Sequence, residues 1–497
     1  MTSIGNSAFS GCTGLTSVVI GSGVTSIGSN AFYNTNLRKT IWLTNTPPTG
    51  SNYASSYINY VSNDQYVINN KVVYPFLSSY FDVDGIRYVP ISPSERTCDA
   101  IDCVFDESAE NTKIPATAVY KGVAMTVKNI MPYLAYNNKY IKTLTIDNDG
   151  EVSNYAFTNC SNLQSATLGE NISAIGEYTF QGCSFLEKIA IPNAVSSIGS
   201  YSFSGCSALN ELTIGSQVKT IDQYAFQDCK SLPSIIIPQS VTEIKDYVFY
   251  GCSELKKVIM EVSKEDLKFG SNGRNPIFSS CPLDSVYIGR NISYDTSQNK
   301  GYSPFYRNTS LRAVKITDTE TEISANEFYG CTNLKLVAIG DGVKTIGDWA
   351  FSGCQSLMYF SFGSRMQTIG KEAFSDCTAV VEINSKSGVP PTCGSQALDD
   401  INKWECKLYV PNGCIDIYQT ADQWKEFFFI EENGFDPEQK GDANGDGMVN
   451  AADIVIVVNY IMDNKTDNIH ISAADANGDG VINTEDITKI VNIIMGI

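Results

Sequence analysis

Two stretches, 442–453 and 475–486, carry oxygen-bearing side chains at the same five positions, 1, 3, 5, 9 and 12. In the first these are Asp442, Asn444, Asp446, Asn450 and Asp453; in the second, Asp475, Asn477, Asp479, Asn483 and Asp486. Position 7, Met448 or Val481, offers a backbone carbonyl, and a glycine at position 6 allows the sharp turn that gathers the donors round one point. Hard oxygen donors at this spacing select Ca2+, so the expected chemistry is the binding of two calcium ions, one per loop. Each loop runs into an apolar helical segment, 454–462 and 487–494, with no helix expected before either loop.

Little else in the chain is arranged for chemistry. The one histidine, His470, lies between the two loops, which leaves the rest of the chain without a Ser-His-Asp or Cys-His arrangement. The cysteines that recur lack the paired spacing of a zinc site. Carboxylates are plentiful, yet no pair stands out as a glycosidase dyad. Cys98 and Cys103 read as structural thiols or a local disulfide, and the tryptophans, Trp42, Trp349, Trp404 and Trp424, as scattered core or cap residues. A non-catalytic protein is expected.

What must position the two loops is a long repetitive body. Phenylalanine returns every 23 residues at Phe157, Phe180, Phe203, Phe226 and Phe249, and again at Phe328, Phe351 and Phe374. Around them an Ile, or Val152 before Phe157, comes five residues before, a Cys three after and a Leu, or Val380 after Phe374, six after, followed in most units by two aliphatic or aromatic residues at alternate positions. A fixed period of this length marks a solenoid, each unit burying its apolar edge against its neighbours. The stretch from Leu to the second aliphatic residue, such as 209–214, predicts a short strand of a parallel sheet, and the preceding arc from Ile to Cys a turn or short helix. Ten cysteines share one repeat position, where stacked strands would set equivalent atoms roughly 4.8 Å apart. That spacing suits buried thiols better than disulfides, and Thr35, Asn138 and Asn308 fill the same position in other units.

Residues between the buried strand positions are expected to face solvent. They include Lys188, Ala190, Glu211, Thr213, Ser234, Ile236, Lys257, Ile259, Leu336, Ala338, Tyr359 and Ser361. Glu211, Thr213, Ser234, Ile236, Lys257 and Ile259 form the candidate ligand face, with Ile236 beside Ile259 as its apolar centre; a plain solenoid surface is the alternative. A formal charge of −19 with dispersed Lys and Arg carries no footprint for nucleic acid. No apolar run approaches the 18 or so residues needed to span a bilayer. Residues 1–9 already read as mid-repeat, so the natural chain is expected to begin further upstream, without a signal peptide in this sequence.

The chain divides into repeats over 1–41, an inserted β-rich module over 42–129 with turn signals at Asn69-Asn70 and Asp84-Gly85, a solenoid over 130–384, a terminal cap over 385–433 and the acidic double-loop segment 434–497. Long repeat spacings predict surface loops at 264–275 and 291–302.

The double-loop segment resembles a type I dockerin, the small all-α module that docks proteins onto cohesin domains. That resemblance implies a cohesin-type partner contacted through positions 10 and 11, here Ala451 and Ala452 in the first copy and Thr484 and Glu485 in the second. The repeats, with their SIGxxAFxGCxxLxxIxIPxxVxxI frame, resemble the BspA-like bacterial leucine-rich repeats. That likeness implies a leucine-rich repeat solenoid and a secreted or surface-bound adhesion protein whose repeats bind a protein or glycan ligand. The expected function is non-catalytic recognition with calcium-dependent docking. One alternative is an accessory component of a polysaccharide-degrading complex; another folds the tail back on the solenoid as a stabiliser.

Overall fold

In Thr143-Leu144-Thr145-Ile146 the apolar residues alternate with threonine, so one side of the extended chain is apolar and must find a cover. The cover is the interior of the coil, where Leu144 and Ile146 are buried, while the next copy of the strand pairs alongside at the edge. The computed structural model describes residues 2–15, 17–20, 23–35, 39–42, 58–61, 65–68, 71–74, 80–103, 106–270, 276–278, 280–294, 303–432, 440–444, 449, 451–463, 469–478 and 480–495. They fall into two units, Met1–Lys230 and Ser231–Ile497.

In the first unit, Asn111–Ile114, Thr143–Ile146, Ser165–Leu168, Lys188–Ala190 and Glu211–Thr213 pair in that order, every pair parallel. A second parallel ladder joins Glu151–Val152, Ala174–Ile175, Ser197–Ile198 and Thr220–Ile221. Each repeat is therefore one turn of a β-solenoid with two short strands. The arc from Ile to Cys is a run of turns, not a helix. Alternate amides are taken by the next turn, Phe180 N–H donating to Ser202 O at 2.7 Å and Phe203 N–H to Ala225 O at 2.8 Å, while those in between close turns within the arc, such as Cys183 N–H to Phe180 O at 3.1 Å. An amide committed along the solenoid axis cannot close an i to i−4 bond. Backbone also approaches backbone here, and a Cβ on Gly199 would lie 2.6 Å from the carbonyl carbon of Gly176.

The repeated Phe rings stack inside, with centroids 5.4 Å apart from Phe157 through Phe180 and Phe203 to Phe226. The repeat cysteines lie beside them. Cys183, Cys206 and Cys229 each turn Sγ–H to the carbonyl of the Phe one turn back, Phe157, Phe180 and Phe203, at 3.3 to 3.4 Å. Thr35 Oγ1, at the same repeat position, instead donates to Phe32 O of its own turn at 2.8 Å. All fifteen cysteines are free thiols.

The segment expected as an inserted module shares strands with the parallel ladders at both edges. Ile58–Val61 lies parallel to Lys39–Trp42, and Thr97–Cys103 parallel to Val123–Ile130. Between them run antiparallel pairs, Gln65–Ile68 with Lys71–Tyr74 and Phe81–Val83 with Ile86–Ser92. Asp84 and Gly85 make the second hairpin with φ of +47° and +77°, the left-handed pair that a tight two-residue turn requires. Asn69 and Asn70 lie outside the described residues.

In the second unit nine strands form one parallel sheet, running from Ser234–Ile237, Lys257–Met260, Ser285–Ile288, Ala313–Ile316, Leu336–Ile339 and Tyr359–Phe362 to Glu382–Ser385, Lys407–Val410 and Phe429–Glu432. The Phe stack continues through the long spacings, at 5.5 Å from Phe249 to Phe278 and 5.6 Å on to Phe305. The expected surface loops contribute strands of their own, Leu267–Phe269 and Ile292–Ser293. Residues 271–275 and 295–302 lie outside the described set.

Beyond 385, Trp424 is fully buried and donates Nε1–H to Pro391 O at 2.8 Å. Trp404 departs from the expected core or cap role, since 74% of it is exposed. Among the described residues, no helix is long and apolar enough to cross a membrane.

Candidate functional site

The double-loop segment builds two longer helices, Ala451–Asp463 and Thr484–Met495. Both begin earlier than their apolar runs, because the last loop residues serve as the first helical turn. In the second loop the Asn483 side chain accepts from Glu485 N–H at 2.7 Å and so caps the helix. A four-residue helix, Ile471–Ala474, precedes the second loop, where none was expected.

The two loops are clasped alike. Asn444 N–H donates to Asp453 Oδ1 at 3.0 Å, and Asn477 N–H to Asp486 Oδ1 at 3.1 Å, tying position 3 to position 12 in each copy. Backbone bonds link the copies, Gly441 N–H to Ala473 O at 2.9 Å and His470 N–H to Ala443 O at 2.7 Å. Burial pushes the His470 imidazole below its usual range, with Asp442 pulling the other way. Between the helices lies an apolar seam that includes Ala443, Val457, Ile469, Ile471, Ala474, Ala476 and Ile490.

Asp442, Asp453, Asp475 and Asp486 are all buried, at 2, 0, 6 and 0% exposure. A buried carboxylate needs compensation by a charge or by hydrogen bonds. Asp475 Oδ2 accepts from Gly480 N–H at 3.1 Å, while its Oδ1 is buried and, among the described residues, has no hydrogen-bond partner. An orphaned oxygen at loop position 1, beside Asn477, Val481, Asn483 and Asp486, is what an oxygen-liganded Ca2+ would complete. Asp446, Met448, Asn450 and Asp479 lie outside the described residues, as do the side chains of Ala451 and Ala452. For that reason no group of three potential metal-binding side chains is assembled among the described residues. Thr484 and Glu485 are exposed.

The candidate ligand face is divided between the units. Glu211 and Thr213 are exposed on a strand of the first. In the second, Ser234 stands opposite Lys257 and Ile236 opposite Ile259. Ser234 and Ile236 are exposed, Ile236 by 51%, whereas Lys257 and Ile259 are half-buried.

Further along the same sheet the expectation of an open face fails. Tyr359 is 7% exposed and, with Leu336 and Met358, packs into the apolar seam of the double-loop module. Lys315 donates from Nζ to Gly478 O, inside the second loop. Gly480 sits so close that a Cβ there would meet Lys315 Cβ at 2.9 Å, and its φ is +84°. Lys440 Nζ donates to Asp475 O at 2.8 Å and Ser472 O at 2.9 Å. These lysines escaped the sequence reading because neither belongs to the loop pattern or to the buried repeat positions.

The BspA type Leucine rich repeat region family matches over residues 1–91, 128–256, 174–299 and 298–421, and the Dockerin type I domain over residues 440–495. No curated protein matches the chain. Among solved structures it is similar to a leucine-rich repeat protein from Bacteroides ovatus, with 21% identity over 71% of this chain and 99% of that one and a TM-score of 0.34. It is also similar to a leucine rich cell surface protein from Faecalibacterium prausnitzii, with 22% identity, 62% and 95% coverage and a TM-score of 0.31. For the pneumococcal vaccine antigen PcpA the values are 17%, 70%, 97% and 0.36. Dockerin type I domains bind calcium. The chain belongs to the BspA-type leucine-rich repeat family and carries a dockerin type I domain over residues 440–495.

Proposed function

We propose that this is a secreted or surface-bound, non-catalytic recognition protein, in which a repeat array presents a ligand surface and a calcium-loaded tail fastens the molecule to a cohesin-type partner. The observation that carries it is the matched pair of loop clasps, Asn444 to Asp453 and Asn477 to Asp486, in a segment matching the dockerin family. Two Ca2+ ions occupy the loops, held by Asp442, Asn444, Asp446, Met448, Asn450 and Asp453, and by Asp475, Asn477, Asp479, Val481, Asn483 and Asp486. Thr484 and Glu485, exposed at the start of the second helix, contact the partner together with Ala451 and Ala452. The array ligand, a protein or a glycan, lies against Ser234, Ile236, Lys257 and Ile259, with Glu211 and Thr213 as a further patch. The domain limits are those given by composition and period, 1–41, 42–129, 130–384, 385–433 and 434–497.

Immobilised cohesin domains, offered to the purified full chain with Ca2+ and with a chelator, test the tail. Retention in Ca2+ and loss on chelation is expected; retention that ignores the chelator would refute the calcium role.

A further inference from the structure

The contact between the array and the double-loop module has two chemically different parts. One is apolar, where Leu336, Met358 and Tyr359 meet the module's seam. The other is a mixed cleft of about 500 Å³ whose lining includes Lys315, Lys386 and Lys440 together with Asp318, Asn384 and Asp475. Two of these lysines hold the second loop by its backbone, Lys315 through Gly478 O and Lys440 through Asp475 O. Lys315 comes from the strand Ala313–Ile316, so an array residue reaches directly into a calcium loop.

That loop carries Asp475, Asp479 and Asp486, three formal negative charges. Lysine ammonium groups beside such a loop are attracted to it. A bound divalent cation leaves one net negative charge of the three and adds repulsion toward the ammonium groups themselves. We infer that the sheet face at Ala313–Ile316, Leu336–Ile339 and Tyr359–Phe362 is a docking site for the chain's own double-loop module, and that Ca2+ in the second loop weakens this docking. The coupling is reciprocal, so the array lysines lower the affinity of the second loop for Ca2+. Release uncovers Leu336, Met358 and Tyr359, a strip continuous in register with the rest of the parallel sheet. Calcium then extends the surface available to a ligand of the array. The inference rests on the calcium reading of the loops proposed above.

The test uses the full chain at low ionic strength, titrated calorimetrically with Ca2+ as wild type and as Lys315→Met, each also in an Asp486→Ala background to assign the sites. Lys315→Met keeps the aliphatic stem and removes the charge. It is expected to raise second-loop affinity by about tenfold and leave the first loop unchanged, with the gain shrinking as salt is added. In parallel, hydrogen exchange over Leu336–Ile339 and Tyr359–Phe362 should accelerate when Ca2+ is added to the wild type. Unchanged or weakened affinity in Lys315→Met, or slower exchange of those strands in Ca2+, overturns the inference while the calcium reading stands. No Ca2+ binding by the wild type overturns both.

Discussion

Phe203→Ala is the sharpest probe of how this body holds together. Phe203 has no solvent exposure and stacks between Phe180 and Phe226, 5.4 Å from each. Truncation removes a fully buried ring and leaves a cavity whose walls are backbone already tied turn to turn, so little collapse can fill it. Substitutions of this kind cost about 3–5 kcal/mol. In a globule that loss would spread through the whole cooperative unit. In a stack, each turn touches only its neighbours, so the cost falls on the turns carrying Phe180, Phe203 and Phe226. Hydrogen exchange on the purified chain reads this directly. Amides of Lys188–Ala190 and Glu211–Thr213 should exchange roughly 150- to 4000-fold faster, the rate equivalent of that free energy. Thr143–Ile146, in the same unit but further up the ladder, should change far less. A uniform acceleration across all five strands of that sheet would refute the stacked-turn reasoning.

Other expectations follow from burial and charge. Burial pushes the thiols of Cys98 and Cys331 up to about 12, leaving almost no thiolate near pH 8, so in the native chain iodoacetamide should label exposed Cys12 well before either; early labelling of Cys331 would contradict the buried ladder. Burial, followed by the nearby Glu327, Asp266 and Glu322 charges, raises Glu320 well above the usual carboxylate range, and among the described residues both its oxygens lack hydrogen-bond partners. A carboxyl with a raised folded pKa retains its proton when the unfolded chain has lost it, so stability should fall as pH climbs above about 4.5 through neutrality. Glu320→Gln should flatten that decline in denaturant titrations at pH 5, 7 and 9; an unaltered slope would show that Glu320 does not cause it. Asp453→Ala and Asp486→Ala each remove the position-12 carboxylate of one loop, and calorimetry should find the Ca2+ stoichiometry reduced from two to one in either variant, whereas two ions retained would disprove the ligand assignment.

The repeating apolar frame was legible in the sequence because stacked units impose the same environment on equivalent residues. That is why Phe, Cys and Leu recur at set offsets. The paired loops were legible for a related reason: their oxygen-bearing side chains are local, within twelve positions, at the spacing that calcium coordination would require. The antiparallel hairpin at Asp84-Gly85 was likewise written in residues that tolerate positive φ. The return arc was not, since whether its amides bond within the arc or to the next turn depends on how closely the coils approach. Nor were the module edges, where Ile58–Val61 and Asn111–Ile114 join parallel ladders without the full repeat frame.

Sequence alone thus determined the solenoid, the thiol row and the paired loops, all set by contacts between neighbours in the chain or between identical neighbours in the stack. Tertiary structure alone decided that Tyr359 is covered, that Lys315 reaches Gly478, and that Asp475 Oδ1 is left, among the described residues, without a hydrogen bond. Lys315 and Gly478 are 163 residues apart, and no periodicity or local propensity links positions so distant. Only the folding of an apolar module onto an apolar strip brings them within reach.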